Sequence, residues 1–308
     1  MRVGFIGECM AELKKVNGVL EEGFAGDTFN SAVYLKRTFP QLDSYFVSAV
    51  GSDALSKEML DFAQSESINT RFLFTHPDKH IGLYKIYTDA EGERSFTYWR
   101  NDSAAKCLMS QLTDDDKASM TALDLVLFSG ISLAILNTED LPKFWRLLAK
   151  LKESGTKIVF DMNHRPALWK GRDDATALYE KAFEIADVAL PGLEDFNFLY
   201  GFETVEEIIN FLAPFSFKQL VIKNGASAVT LVDEKGEVSE VGLTPVTNVV
   251  DTTSAGDAFN GVFLGAYLTG ESPEACVNKA AKCAGFVIQH PGAIVDKKAY
   301  ADLVASIA

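Results

Sequence analysis

Short apolar runs alternate with longer segments of helical period along most of the chain. A short apolar run predicts a strand that is buried on both faces, and apolar residues three or four apart predict a helix with one buried side. The strands are predicted at 3–7, 45–50, 123–128, 157–160, 187–190, 219–222 and 229–232, and the helices at 27–37, 55–64, 140–153, 173–185, 258–268 and 273–288. This alternation predicts an α/β fold with a doubly wound, mostly parallel sheet covered by helices on both faces.

Two stretches interrupt the alternation. Residues 11–24 are polar and irregular, whereas residues 82–100 have the pattern of a hairpin, in which LYKIYT, the turn DAEGE and RSFTYWR follow one another. We expect the two stretches to form a small β lid over the carboxyl ends of the strands, where open α/β sheets bind their ligands. A surface insertion is the alternative. Because no linker or repeat divides the chain, residues 1–308 are expected to form a single domain.

The charge balance limits the classes of partner. Lysine and arginine total 29 against 43 aspartates and glutamates, which gives a formal net charge of −14. Such a chain repels nucleic acid and anionic membranes, so neither is expected as a partner, although locally focused basic residues can still bind small anions.

The remaining composition favours a cytoplasmic protein. The four cysteines form no disulfide framework and the four histidines have no zinc spacing. Glu8 lies within the first ten residues, so we expect no signal peptide there, and no apolar run reaches the roughly 18 residues of a membrane span.

The segment NVVDTTSAGDAFNGVFLGAYL, residues 248–268, carries the most chemical information. An apolar strand end leads into small residues and then a long apolar helix. Such a loop leaves several backbone N–H groups free at the positive end of the helix dipole, which predicts an anion site. Asp257 would then be either a capping acid of the first helical turn or a general base beside a phosphate, and the residues alone leave both readings open.

DTTSAGDAFNG closely resembles the C-terminal signature of the ribokinase-like (PfkB) carbohydrate kinases. Three further stretches agree: GFAGDTFNSAVYLKR at 23–37 resembles the family's sugar-binding motif, VIKNGASAV at 221–229 its nucleotide-side strand pair, and AAKCAGFVIQHPGA at 280–293 its adenine-side helix and loop. The resemblance covers essentially the whole chain. It implies a ribokinase-like α/β fold with a small β lid.

The resemblance also implies the catalytic roles. Asp257 corresponds to the catalytic base, and the backbone amides of Ala255, Gly256 and Asp257 would stabilise charge on the transferred phosphoryl group. Ser254 stands where most members have glycine, and its hydroxyl could add a donor to this group.

Metal sites are implied in the same way. Asp251 and Thr253 resemble the family's monovalent-cation site, which would hold K⁺, with a turn-forming aspartate as the alternative. Glu194 would hold Mg²⁺ through water, with an ordinary solvated helix acid as the alternative. The family's asparagine near this metal is replaced by Pro191, so only the glutamate role is carried over.

The sugar side is assigned to two groups of residues. Gly26, Asp27 and Asn30 would contact sugar hydroxyls, although they also fit a simple helix cap. For an anionic sugar, Arg100 and Arg165 are the best pair, because guanidinium binds a carboxylate in a bidentate manner. Tyr84 and Tyr98 would either face the substrate or pack in the lid core.

The nucleotide side is assigned by resemblance to seven residues. These are Lys223, Gly225, Ser227, Asn278 and His290, together with Ser254 and Gly256 of the loop. ATP and Mg²⁺ are therefore the implied cofactors, and K⁺ follows if the cation loop is filled.

Within the family the chain most resembles the kinases of 2-keto-3-deoxygluconate, on the residues IGECMAEL, GDTFNSAVYL, YWR at 98–100 and DMNHRPALW at 161–169. The resemblance implies ATP-dependent phosphorylation of the sugar acid at its C6 hydroxyl. A fructokinase or ribokinase is the nearest alternative, and a catalytically inactive sugar-binding regulator is another. A dinucleotide oxidoreductase is disfavoured, because no G-x-G-x-x-G follows the first strand. The resemblance further implies a homodimer.

Overall fold

The structure, a computed structural model, describes residues 1–16, 18–88 and 94–307. Its strands are β1 (Arg2–Ile6), β2 (Met10–Val16), β3 (Val19–Ala25), β4 (Asp43–Val50), β5 (Leu73–Thr75), β6 (Gly82–Thr88), β7 (Arg94–Trp99), β8 (Leu125–Ser129), β9 (Lys157–Asp161), β10 (Val188–Ala189), β11 (Gln219–Asn224), β12 (Ala228–Asp233) and β13 (Val238–Gly242). Its α-helices are α1 (Asp27–Thr38), α2 (Ala54–Ser65), α3 (Leu108–Gln111), α4 (Asp114–Met120), α5 (Gly130–Ile135), α6 (Leu141–Glu153), α7 (Arg172–Ile185), α8 (Leu193–Tyr200), α9 (Val205–Leu212), α10 (Ala255–Leu268), α11 (Pro273–Val287) and α12 (Lys297–Ile307).

A large sheet organises the molecule. Within the described residues its nine strands lie in the order β13-β12-β11-β10-β9-β8-β1-β4-β5. Neighbours from β5 to β11 are parallel, and β12 and β13 add an antiparallel edge. The order runs in both directions from β1, which confirms the predicted doubly wound topology. Ligands bind such sheets at the carboxyl ends of the strands beside this switch point.

Both faces of the sheet are buried, as the continuous apolar strands predict. Val3 and Phe5 of β1 pack in one cluster with helices α1, α10 and α11. Ile6 of the same strand packs in the other cluster with Phe128 and Phe160. Successive side chains of a strand point to opposite faces, so one short apolar run supplies two cores.

A second sheet forms the lid. Its strands lie in the order β3-β2-β6-β7. The hairpin β6–β7 confirms the antiparallel ribbon predicted at 82–100, although its predicted turn, residues 89–93, lies outside the described residues. The expectation that 11–24 is irregular is wrong, because β2 and β3 pair in antiparallel register from Met10↔Ala25 to Val16↔Val19. Charged side chains along both strands hide the alternation on which a strand prediction relies.

Close packing of α1 against α10 joins the two motifs that carry the family resemblance. A Cβ on Gly261 would overlap the backbone carbonyl of Ser31, and one on Gly265 would overlap the ring of Phe39. The two glycines therefore let the helices approach closely, which brings the first turns of both helices to the same edge of the sheet. No helix in the described part of the chain is long and apolar enough to cross a bilayer.

Candidate active site

Polar side chains collect at the carboxyl ends of the parallel strands. Ser129 is the last residue of β8, Asp161 is the last of β9, and Lys223 lies near the end of β11. The first turns of α1 and α10 add Asp27 and Asp257 to the same edge. The predicted ligand edge of the sheet therefore holds a line of carboxylates, hydroxyls and one lysine.

Asp257 faces α1 across this edge. Its Oδ2 accepts a hydrogen bond of 2.8 Å from Nδ2 of Asn30, which is buried. Burial and then the charge of Asp27 raise the pKa of Asp257 to about 7, whereas the Asn30 hydrogen bond and the charge of Arg165 act to lower it. A carboxyl group with a pKa near neutrality is suited to accept a proton at physiological pH. A base would need these two properties, and the role of Asp257 stays a prediction.

Asp27 has one oxygen engaged and one available. Its Oδ2 accepts hydrogen bonds from Ser129 Oγ at 2.6 Å and from Asn163 Nδ2 at 2.9 Å. Its Oδ1 is buried and has no protein hydrogen-bond partner in the described part of the chain. A buried acceptor without a partner is costly, so it suits a ligand hydroxyl. Asn163, which makes the second of these contacts, has a positive φ of +30°.

Residues 251–256, the anion loop, comprise the turn before α10 and the first two residues of that helix. Ser254 is the N-cap with φ +66°, and its buried Oγ has no protein partner among the described residues. A Cβ on Gly256 would meet nothing within 4 Å, so the loop is open at this point. The amides of Gly256 and Asp257 lie in the first turn, where intrahelical acceptors are lacking. The amide of Ala255, by contrast, donates to the Thr252 carbonyl at 3.3 Å.

Asp251 braces the anion loop. Its Oδ1 accepts the Thr253 amide at 3.0 Å, and its Oδ2 accepts the Gly292 amide at 2.7 Å. The first contact is the turn that the sequence left as an alternative to a cation site. The second contact ties the loop to the segment after α11.

Lys223 lies in a network that the sequence did not reveal. Its Nζ donates to Asp161 Oδ1 at 3.1 Å and to Asn260 Oδ1 at 3.2 Å, and Asn260 Nδ2 donates to Asp161 Oδ2 at 2.7 Å. Gly225 is close by in the chain, at φ +54° in the turn before β12, and Ser227 is exposed in the same turn. These three residues therefore occupy one end of the strand pair β11–β12.

The acids at the start of α8 have contrasting environments. Glu194 is exposed, whereas Asp195 is half-buried and its Oδ1 accepts the His164 amide at 3.0 Å. Burial and the charge of Asp161 raise the pKa of Asp195 to about 6. Asp195 thus lies within the influence of the Asp161 charge, whereas Glu194 is open to solvent. Among the described residues no group of three or more histidine, cysteine or acidic side chains is arranged to hold a metal by itself.

The two arginines expected to form a pair have different surroundings. Arg100 is buried and ion-pairs with Glu8, which is itself buried two residues after the end of β1. Arg165 is exposed, and one of its N–H groups donates to the His164 carbonyl at 3.0 Å. The charge of Arg165 acts on Asp257 and Asp195. Arg165 is thus the accessible cation beside the acids.

The two lid tyrosines also differ. Tyr84 is buried and its hydroxyl donates to Glu12, while Tyr98 stacks on it with 5.8 Å between ring centroids and remains half-exposed. Tyr84 therefore follows the packing alternative, and Tyr98 keeps an accessible face.

Two nucleotide-side candidates lie on and after α11. Asn278 is exposed on the helix. His290 is half-buried, and its Nδ1 lies 2.9 Å from the Phe286 carbonyl oxygen.

Sequence reasoning missed six polar residues of this region. They are Glu8, Ser129, Asp161, Asn163, Asp195 and Asn260. Most lie at or just after the end of a parallel strand. A polar residue at the end of an apolar run is therefore the signal that could have identified them.

Comparisons with known proteins agree with this geometry. Residues 4–299 match the pfkB family carbohydrate kinase profile. The chain is similar to 2-dehydro-3-deoxygluconokinase of Haemophilus influenzae, with 39% identity over 308 residues and 98% of each chain covered. It is 38% identical to 2-dehydro-3-deoxygluconokinase of Dickeya dadantii over 304 residues, which cover 96% of this chain and 97% of the relative. The fold resembles that of an ATP-bound fructokinase from Xylella fastidiosa, with a TM-score of 0.83, 20% identity and 99% and 97% of the two chains covered. The chain therefore belongs to the PfkB family of carbohydrate kinases.

Proposed function

We propose that this kinase transfers the γ-phosphoryl group of ATP to the C6 hydroxyl of 2-keto-3-deoxygluconate, also named 2-dehydro-3-deoxygluconate. Two relatives named 2-dehydro-3-deoxygluconokinase are 38–39% identical to this chain and cover almost all of it, which supports the sugar acid as substrate. The observation that carries the chemistry is the carboxyl of Asp257, hydrogen-bonded to Asn30 and adjacent in sequence to the open Gly256.

The reaction needs positioning, charge neutralisation and a base. Deprotonated Asp257 would accept the proton of the C6 hydroxyl as that oxygen attacks the γ-phosphorus and the bond to the ADP oxygen breaks. The amides of Gly256 and Asp257 would stabilise the charge on the transferred group at the positive end of α10. The amide of Ala255 would join them if its long hydrogen bond to Thr252 opens. Gly26, Asp27 and Asn30 would orient the sugar, with the unpartnered Oδ1 of Asp27 accepting a hydroxyl.

We assign the preference for the sugar acid over neutral sugars to the positive charge of two arginines. Arg165 would contact the substrate carboxylate directly, because it is exposed beside the catalytic acids. Arg100 is neutralised by Glu8 and would contribute through guanidinium N–H groups that Glu8 leaves free. Tyr98 would complete the lid side of the site.

On the nucleotide side, Lys223, Gly225, Ser227, Asn278 and His290 remain our candidates for contacts with ATP. Ser254 supports this assignment, because its buried hydroxyl has no protein partner in the described part of the chain. Lys223 would have to exchange Asp161 or Asn260 for a phosphate oxygen.

Magnesium would be held at the same edge. Asp161 and Asp195 supply hard oxygen donors of the kind that Mg²⁺ prefers, with phosphate oxygens and water as the remaining ligands. The ion would neutralise phosphate charge. Glu194 is exposed and would act only through water.

We further propose that Asp251 and Thr253 contribute to a K⁺ site. Asp251 already joins the anion loop to Gly292, so an ion beside it would order the loop that presents the amides.

The lid supports the proposed homodimer. Phe96 and Trp99 of β7 are 43% and 54% exposed, which leaves large apolar side chains uncovered on one short strand. Pairing of two lids would cover part of this apolar area. A cytoplasmic location and a single domain for residues 1–308 stay predictions.

A coupled ADP-release assay tests the function. We expect turnover with 2-keto-3-deoxygluconate and much lower kcat/KM with neutral sugars such as fructose or ribose. Equal or better turnover of a neutral sugar would favour the fructokinase or ribokinase alternative. Tight sugar binding without ADP release would indicate a regulator.

A further inference from the structure

One lysine of the lid reaches the body of the molecule beside the anion loop. Lys14 lies on β2 two residues after Glu12, so both side chains leave the strand on the same face. Its Nζ lies 3.4 Å from Oε1 of Glu12. A Cβ on Gly292 would lie only 3.1 Å from the same Nζ. The tip of Lys14 therefore packs on the segment that follows α11.

The lysine is held from the lid side by a buried carboxylate. The Glu12 side chain is 5% exposed, against 31% for Lys14. Glu12 also accepts a hydrogen bond from the Tyr84 hydroxyl of the neighbouring strand β6. The ammonium group thus has a fixed anchor in the lid and points out of it toward the body.

Gly292 connects this contact to the anion loop. Its φ of +89° and the nearness of Lys14 both disfavour any larger residue. Its amide donates to Asp251 Oδ2 at 2.7 Å, and Asp251 Oδ1 accepts the amide of Thr253 at 3.0 Å. The next residue, Ser254, is the N-cap of α10. A continuous series of contacts therefore runs from the lid to the amides of the loop.

We propose that Lys14 is a positioning residue that couples closure of the lid to the order of the anion loop. When the lid lies on the body, the ammonium group restrains the Gly292 segment and, through Asp251, the amides that follow. When the lid lifts, this restraint is lost. The loop would then be fully ordered only when the lid covers a substrate. This order would suppress the wasteful transfer of the phosphoryl group to water. The role of the loop rests on the proposed kinase function, but the identity of the sugar does not enter.

Hydrogen exchange tests the coupling without any substrate. The variant is Lys14→Met, which keeps the length of the side chain and removes its charge, and the matched control is Lys15→Met, on the exposed side of the same strand. We expect exchange at Thr253 and Gly292 to be roughly fivefold faster in Lys14→Met and unchanged in Lys15→Met. This factor corresponds to about 1 kcal/mol, the size of a partly exposed ion pair such as Lys14–Glu12, whose loss would release the tip of residue 14 from its anchor in the lid. Equal exchange in the two variants would overturn the proposal.

Kinetics provide the second readout. We expect Lys14→Met to lower kcat roughly fivefold with little change in KM for ATP, and we expect Lys14→Arg to keep the wild-type kcat. A rise in KM alone, or a similar fall in kcat in Lys14→Arg, would refute a positioning role. If Lys14→Met does not fold, Lys14→Gln takes its place with the same expectations. Wild-type inactivity toward the sugar acid would contradict the proposed function but would leave the exchange result intact.

Discussion

Replacing Asn30 by alanine should move the acidic limb of the pH–rate profile to higher pH. Asp257 must be deprotonated to act as the base, so kcat/KM rises with pH through the pKa of its carboxyl, which is about 7 in the free enzyme. Asn30 donates a 2.8 Å hydrogen bond to the charged form of this carboxyl and so lowers its pKa. Such a bond to an ion contributes roughly 1.5–3 kcal/mol, which is about one to two pKa units at 1.36 kcal/mol per unit.

Water can partly replace the lost side-chain amide of Asn30, so we expect the pKa of Asp257 to rise by about one unit. The acidic limb of the variant should therefore lie near pH 8. At still higher pH the variant should recover much of its rate. The measurement is kcat/KM for the sugar acid against pH, with coupling enzymes in excess. Asn210→Ala, on an exposed position of α9, is the control.

The sign can be checked with a second variant. Asp27→Asn removes a negative charge that raises the pKa of Asp257, so its limb should move to lower pH even if sugar binding weakens. If the acidic limb of both variants stays at the pH of the wild-type limb, the assignment of this pKa to Asp257 is refuted.

Three further outcomes are expected. Asp257→Asn should lower kcat by roughly 10²–10⁴ while calorimetry shows ATP binding retained, and near-normal turnover would exclude it as the base. Activity should rise when K⁺ replaces a bulky organic cation at constant ionic strength, and a flat response would leave Asp251 as a turn residue. Arg165→Ala should raise KM for the acid about ten- to a hundredfold and leave KM for ATP nearly unchanged. Arg100→Ala should also lower the melting temperature, because it leaves the buried Glu8 carboxylate unpaired at a cost of about 3–5 kcal/mol. If both arginine variants keep the wild-type ratio of kcat/KM between the sugar acid and a neutral sugar, a neutral sugar becomes the better candidate for the substrate.

The local pattern predicted the frame of the molecule well. The apolar run that forms β1 and the helical period of α10 mark elements whose limits the structure shifts by only a few residues. The small residues before α10 predicted an open loop at a helix N-terminus, and that loop is present at Gly256. These features depend on neighbours within a few residues, so a linear reading can detect them.

The lid shows where that reading fails. The hairpin β2–β3 was missed, because charged residues on both strands mask the alternation and because pairing with β6 stabilises it from far along the chain. Context of this kind overrides local propensity in sheets.

The sequence by itself determined the doubly wound fold class, which follows from short-range periodicity. Its contiguous family motif also identified the loop before α10 and Asp257 as candidates, whose roles stay predictions. Only the tertiary structure decided which partners surround those residues. Asp27 accepts hydrogen bonds from Ser129 and Asn163, both more than 100 positions away, and Arg100 forms an ion pair with Glu8. Hydrogen bonds and ion pairs act over a few ångströms in space whatever their separation in the chain, so strand order and helix packing select them.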